Sequence, residues 1–338
     1  MNETNHSKER KTENELVTTQ PIGPFTMNQI KTSSFKPLTM ANTILKIPLL
    51  STIITSTALK SSFNSSSSSL LHRHICNCSS AASVSQHQQR QPQIRSPQLV
   101  ALEYADLSIP HIVCEELGVV RVRQHVNPLS SSLSVPVEVP KWEDVFEDPK
   151  LPLVVDIGCG SGRFLMWLAK RNPGSKNYMG LEIRKKLVTR AEKWAEELAL
   201  SNIHFLFANA SISFKQLIST YPGPLMFVSI LCPDPHFKKR HHKRRILQKP
   251  LAEAIVDGLM PGGQVFIQSD VLEVAVDMRK YFDAESDKLV HVDNIDSSLL
   301  CDNEGWLATN PMGIRTEREI HAEFEGAKIY RRMYQKPS

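Results

Sequence analysis

From residue 150 onward, short apolar runs alternate with stretches whose apolar residues return at helical spacing, the pattern of strands and helices taken in turn. LPLVVDI at 151–157 reads as a buried strand and FLMWLAKR at 164–171 as a helix. NYMGLEI at 177–183 is a second strand. The stretch 184–200 then sets Leu187, Val188, Ala191, Trp194, Ala195 and Leu198 on one helical face. Strands follow at 203–208 and 224–231. A helix at 251–259 is expected to stop at Pro261-Gly262-Gly263, and QVFIQS at 264–269 is a fifth strand. Val271, Val274, Ala275, Met278 and Phe282 line a further helix, and AKIYRRMYQK at 327–336 alternates as a strand does. Strands separated by helices predict an α/β fold around a parallel sheet. Residues 103–149, with RVRQHVNPLS and a Pro- and acid-rich connector, read as an extension docked on the core at 150–338.

The first strand runs into a glycine turn. Gly158, Gly160 and Gly162 allow a tight backbone path and close approach to a ligand, and Glu182 ends the next strand, where an acid can accept from both ribose hydroxyls. Such turns also serve nicotinamide cofactors. The G-x-G-x-G spacing with Asp156 two residues upstream resembles the S-adenosylmethionine (SAM) motif of class I methyltransferases more than the dehydrogenase pattern. The Asp156 carboxylate suits a cofactor carrying an ammonium group. Asn209, after the third strand, offers a donor and an acceptor to an adenine edge, or else caps a loop. Cys159 reads as a small packing residue.

After the fourth strand comes PDPHFKKRHHKRR. Strand-end loops of an open α/β sheet share one crevice, so Asp234 is expected to face the glycine turn, stiffened by Pro233 and Pro235. Lys238, Lys239, Arg240, Lys243, Arg244 and Arg245, with His236, His241 and His242, form a run suited to a phosphate backbone. A bare basic run is as well a solvated face or an address signal; its place beside a strand-end acid favours RNA. Asp270, after the fifth strand, is a second acid on the same rim.

Charge refines this picture. The net charge of +5 comes from the leader: residues 16–102 carry seven Lys or Arg and no acid, whereas 103–338 hold 30 basic and 31 acidic residues. Any grip on nucleic acid must therefore be local. The leader, 1–102, is rich in Ser, Thr and Gln, the composition of a disordered organelle transit peptide. Its Ser-rich, Met40-Ala41 beginning points to a chloroplast, with the mitochondrion as the alternative. The four glutamates before residue 16 suit initiation at Met40 or Met27. The apolar run 43–59 contains Lys46 and Pro48 and is short for a membrane span. The six cysteines include no CxxC pair, which argues for free thiols and no metal site.

Taken together, D-x-G-x-G-x-G, the PDP segment with its basic run, QSD, and IRTEREIHAEFEGAKIYRRMY resemble the tRNA (guanine-N7-)-methyltransferase family over about residues 112–335. The resemblance implies a Rossmann-like class I fold, a mostly parallel seven-stranded sheet with helices on both faces. It implies methyl transfer from SAM to N7 of a guanine in the tRNA variable loop, usually position 46. It places cofactor contacts at Asp156, Glu182, Asn209 and Asp234. Substrate contacts fall at Lys238, Asp270 and the segment from Thr316 to Glu319, beside Lys243, Arg244 and Arg245 of the basic run. The segment reads TERE where bacterial members carry TKFE, so its middle positions lack that support. Since N7 already exposes a lone pair, alignment matters more than a general base. Asp234 then stabilises the charge developing on the purine or holds the base. An organellar leader implies the bacterial style of action, as monomer or homodimer with no obligate partner subunit. Methylation of another RNA or of a non-RNA substrate, and a non-catalytic tRNA-binding subunit, are the rival readings.

Overall fold

The computed structural model describes residues 95–109, 126–292 and 300–338. The expectations for the leader before residue 95, including the transit peptide, the 43–59 run and Met40, lie outside the described residues, as does the RVRQH half of RVRQHVNPLS.

Among the described residues, seven strands form one sheet: β1 (Leu153–Ile157), β2 (Asn177–Glu182), β3 (Ile203–Phe207), β4 (Leu225–Leu231), β5 (Leu259–Ser269), β6 (Val290–His291) and β7 (Tyr330–Gln335). Their spatial order is β3-β2-β1-β4-β5-β7-β6. The first five are parallel, and β7 runs antiparallel between β5 and β6. The order reverses direction between β1 and β4, and a crevice opens at such a point beyond the strand ends.

Helices cover both faces, and β1 shows how a continuous apolar run serves them. Leu153, Val155 and Ile157 pack into one core with Phe214, Ile255 and Phe282. Those partners come from α5 (Ala210–Thr220), α6 (Lys249–Gly258) and α7 (Leu272–Asp283). Val154 points the other way. There it meets α1 (Ser96–Glu103), α3 (Arg163–Arg171), α4 (Lys185–Glu197) and α8 (Glu317–Phe324). The short α2 (Trp142–Val145) seats Trp142 and Phe146 on the first face, their rings meeting Tyr221 edge-on at 5.2 and 6.1 Å. Full burial of side chains of this size stabilises by about 1.5–3 kcal/mol each.

Three differences from the sequence pattern have physical reasons. The boundary expected after residue 102 falls within α1, where Val100 is buried and Glu103 pairs with Arg315 near the far end of the chain. Pro261-Gly262-Gly263 is no stop before a strand. The chain enters β5 at Leu259, and these residues bulge while the register moves from Leu225–Leu259 to Phe227–Gln264. Gly262, at φ +77°, donates to the Lys336 carbonyl there. Lastly, α5 and α8 are helices that the apolar spacing did not announce.

Candidate active site

A cleft opens beyond the strand ends, with about 680 Å³ of space counting its open mouth. Gly158 from the β1 end, Glu182 from β2, Ala208 and Ala210 around the start of α5, and Asp234 from the β4 loop all line it. The expected meeting of Asp234 with the glycine turn is therefore present. Ile183, Ile246 and the two alanines give the cleft apolar walls suited to a flat heterocycle, and Val126 and Pro128 close one side.

The turn is built by its own amides. Gly158 donates to the Leu181 carbonyl at 2.8 Å, and Gly160 donates to Oε2 of Glu182 at 3.0 Å. Gly162 caps α3 at φ +78°, and a Cβ there would stand 2.7 Å from the Phe205 ring, so only glycine fits. Glu182 is 2% exposed. Besides Gly160 it accepts from the Arg184 amide, Nε and Nη2, at 2.9, 2.9 and 3.1 Å. Arg184, which lines the cleft, was not singled out from sequence; nothing marks an arginine two residues past a strand-end acid.

Asp156 behaves differently from expectation. Its carboxyl is buried and does not reach the cleft wall; Ser229 on β4 donates to it at 2.7 Å. Burial pushes it up to about 7, with the Ser229 bond opposing and the Glu182 charge adding to the shift. It joins β1 to β4 beneath the turn. Cys159 is buried, and desolvation holds its thiol well above the ordinary value, as suits a packing residue.

The loop after β4 is strained around Asp234. Cys232 and His236 take positive φ values of 49° and 46°, uncommon for residues with side chains. Asp234 is half-buried between them. The basic run continues as a 3₁₀ turn, Lys239–Arg244. Lys238 and Lys243 are exposed, while Arg244 is half-buried and lines the cleft. Arg245 is not available to RNA. Its side chain is 5% exposed and donates to the Pro235 carbonyl at 3.0 Å, Asp277 at 3.1 Å and Glu273 at 2.7 Å.

Four further residues sit elsewhere than expected. The Asn209 amide donates to the carbonyls of Pro128 and Leu133, both at 3.0 Å, while its oxygen caps α5 through the Ser211 amide at 3.2 Å. The cap reading holds, and both hydrogens of the side-chain amide are taken up inside the protein. Asp270 is paired with Arg318. Thr316 and Glu319 form the capping box of α8, and Glu319 is fully buried, accepting from Gln268 at 3.0 Å and Arg331 at 2.6 Å. The S/T-x-x-E spacing carried that signal in the sequence. Both side chains are engaged in holding the start of α8.

A doubly wound sheet with its ligand cleft at the β1–β4 switch, a glycine turn on β1, a buried acid ending β2 and an antiparallel seventh strand define a class I SAM-dependent methyltransferase. Residues 150–332 match the family described as "Putative methyltransferase". The chain is 43% identical over 217 residues to a tRNA (guanine-N(7)-)-methyltransferase of Synechocystis, covering 64% of this chain and 98% of that one. It is 46% identical over 211 residues to one from Synechococcus, covering 62% and 82%. A third, from Trichormus variabilis, is 42% identical over 223 residues, covering 66% and 99%. The chain belongs to the tRNA (guanine-N7-)-methyltransferase family.

Proposed function

We propose that this protein methylates N7 of a guanine in tRNA, that the guanine is position 46 of the variable loop, and that it does so in the chloroplast without an obligate partner subunit. The observation that carries the reading is the single cleft shared by Gly158, Glu182 and Asp234, with the exposed Lys238 and Lys243 beside it. Relatives bearing the tRNA (guanine-N(7)-)-methyltransferase name support the reaction, and the acid-free stretch 16–102 of the leader supports the address.

SAM, when bound, supplies an electrophilic methyl on a sulfonium. Glu182 and the apolar walls would hold its nucleoside. All four acceptor directions of Glu182 are in use, so ribose hydroxyls would replace the Arg184 guanidinium bonds. Asp234 acts on the guanine. Its carboxylate accepts from N1–H and the exocyclic amine and opposes the positive charge that methylation leaves on the purine. No proton need leave N7 before attack, so alignment supplies most of the rate.

The test is incubation of the protein with organellar tRNA and labelled SAM, followed by borohydride–aniline scission, which cuts at N7-methylguanosine. Scission at 46, and its loss from a tRNA with adenine at 46, is the expected result. Asp234→Asn keeps the shape but removes the charge, and should abolish turnover while tRNA binding survives. Full turnover in that variant would refute the assignment. Residues 1–102 fused to a fluorescent protein should enter chloroplasts; delivery to mitochondria or retention outside both would overturn the address.

A further inference from the structure

We propose that Glu317, the first residue of α8, is a positioning residue for the glycine turn that holds the cofactor. The proposal rests on the methyltransferase reading above. Its side chain leaves its own helix and reaches the β1–α3 loop, where one carboxylate oxygen accepts from both Ser161 Oγ and Arg163 Nη1. Ser161 stands between Gly160 and Gly162, the two glycines that hand the turn from Glu182 to the start of α3.

The electrostatics of α3 explain why a carboxylate is needed there. A helix N-terminus carries partial positive charge and is normally met by a capping side chain and acids in the first turn. Here the cap is Gly162, with no side-chain hydrogen bond, and the first turn contains no acid. Its first residue is instead Arg163, a cation at the positive end, stacked over Trp194 at 4.5 Å. Glu317 supplies from another element the negative charge that α3 lacks. It also occupies the favourable first turn of α8, so it faces two positive helix ends at once.

The anchor is itself rigid. The Thr316–Glu319 capping box fixes the start of α8, and buried Glu319 is held by Gln268 and Arg331. The next residue, Arg318, ties the same helix to Asp270 after β5. Successive side chains thus fasten two strand-end loops: Glu317 the cofactor turn, Arg318 the loop after β5. These are the two middle positions at which this chain departs from TKFE.

The test is calorimetric titration of the full chain with SAM, beside initial rates with SAM and tRNA varied in turn. Glu317→Ala should weaken SAM binding about 10-fold. It should raise KM for SAM in parallel and leave KM for tRNA within about 2-fold, since its hydrogen bonds go to the turn and to the first residue of α3. Glu317→Asp should recover part of the loss, and Ser161→Ala combined with Arg163→Ala should reproduce most of it. If Glu317→Ala fails to fold, Glu317→Gln, which keeps the shape and can still accept from Ser161, carries the same test with a smaller loss. Wild-type SAM affinity in the folded variant, or a loss confined to tRNA affinity, overturns the proposal. Failure of the wild-type chain to bind SAM would instead sink the methyltransferase reading.

Discussion

The Arg245 guanidinium donates from Nε to the Pro235 carbonyl at 3.0 Å, one residue beyond Asp234. Its other nitrogens meet Asp277 and Glu273 on α7. The last cation of the basic run thus faces inward and ties the strained Asp234 loop to a packed helix. Arginine suits this place because its planar fork serves three acceptors at once.

Arg245→Ala should therefore act on turnover. Releasing the loop misplaces Asp234, and kcat should fall on the order of 10- to 100-fold. The salt dependence of tRNA binding should not change, since no phosphate contact is lost. Lysine cannot reproduce the three-way fork, so Arg245→Lys should recover little. A salt slope lowered by about 1 would show that Arg245 leaves its pocket for a phosphate.

The exposed cations should give the opposite result. Lys238→Ala with Lys243→Ala should weaken tRNA binding and lower the slope of log K against log salt by about 1–2. Turnover at saturating tRNA should change little. Filter binding across a salt series measures this, and an unchanged slope would place the RNA on another surface.

Asp156 makes stability depend on pH. Its folded carboxyl holds a proton up to about 7, while the unfolded one releases it near 3.8. The favourable contribution of the neutral buried acid is complete below the unfolded value and is lost as pH rises through about 7. Asp156→Asn keeps an acceptor for Ser229 and carries no charge. It should match the wild type near pH 4 and exceed it at pH 8 by up to about 4 kcal/mol. Thermal melts across pH test this, and equal stabilities at pH 8 would show that the ionised carboxylate is tolerated in place.

Gly162→Ala should destabilise by about 2–3 kcal/mol, from a strained positive φ and a Cβ pressed on the Phe205 ring. Because that turn also shapes the cleft, SAM affinity should fall with it. Chemical denaturation and calorimetry read the two effects, and a variant as stable as the wild type would mean that the Phe205 ring gives way freely.

Six of the strands, the order in which helices separate them, the glycine turn, Glu182 and Asp234 were all readable from the chain. Each is a local statement: alternation, helical spacing or a short motif is written in consecutive residues, and rules for α/β sheets bring strand-end loops to one crevice. The roles of Asp156, Asp270 and Arg245 were not readable in this way. Each is a polar residue beside the site whose partner lies far along the chain: Ser229, Arg318 or Asp277. A strand-end acid looks the same in sequence whether it faces a ligand or a buried hydroxyl. Sequence alone determined which chemistry gathers at the sheet's edge. Tertiary packing decided which of those charges stay open to ligands and which are buried, because a buried polar group must find its hydrogen bonds and whatever side chain supplies them removes it from the site.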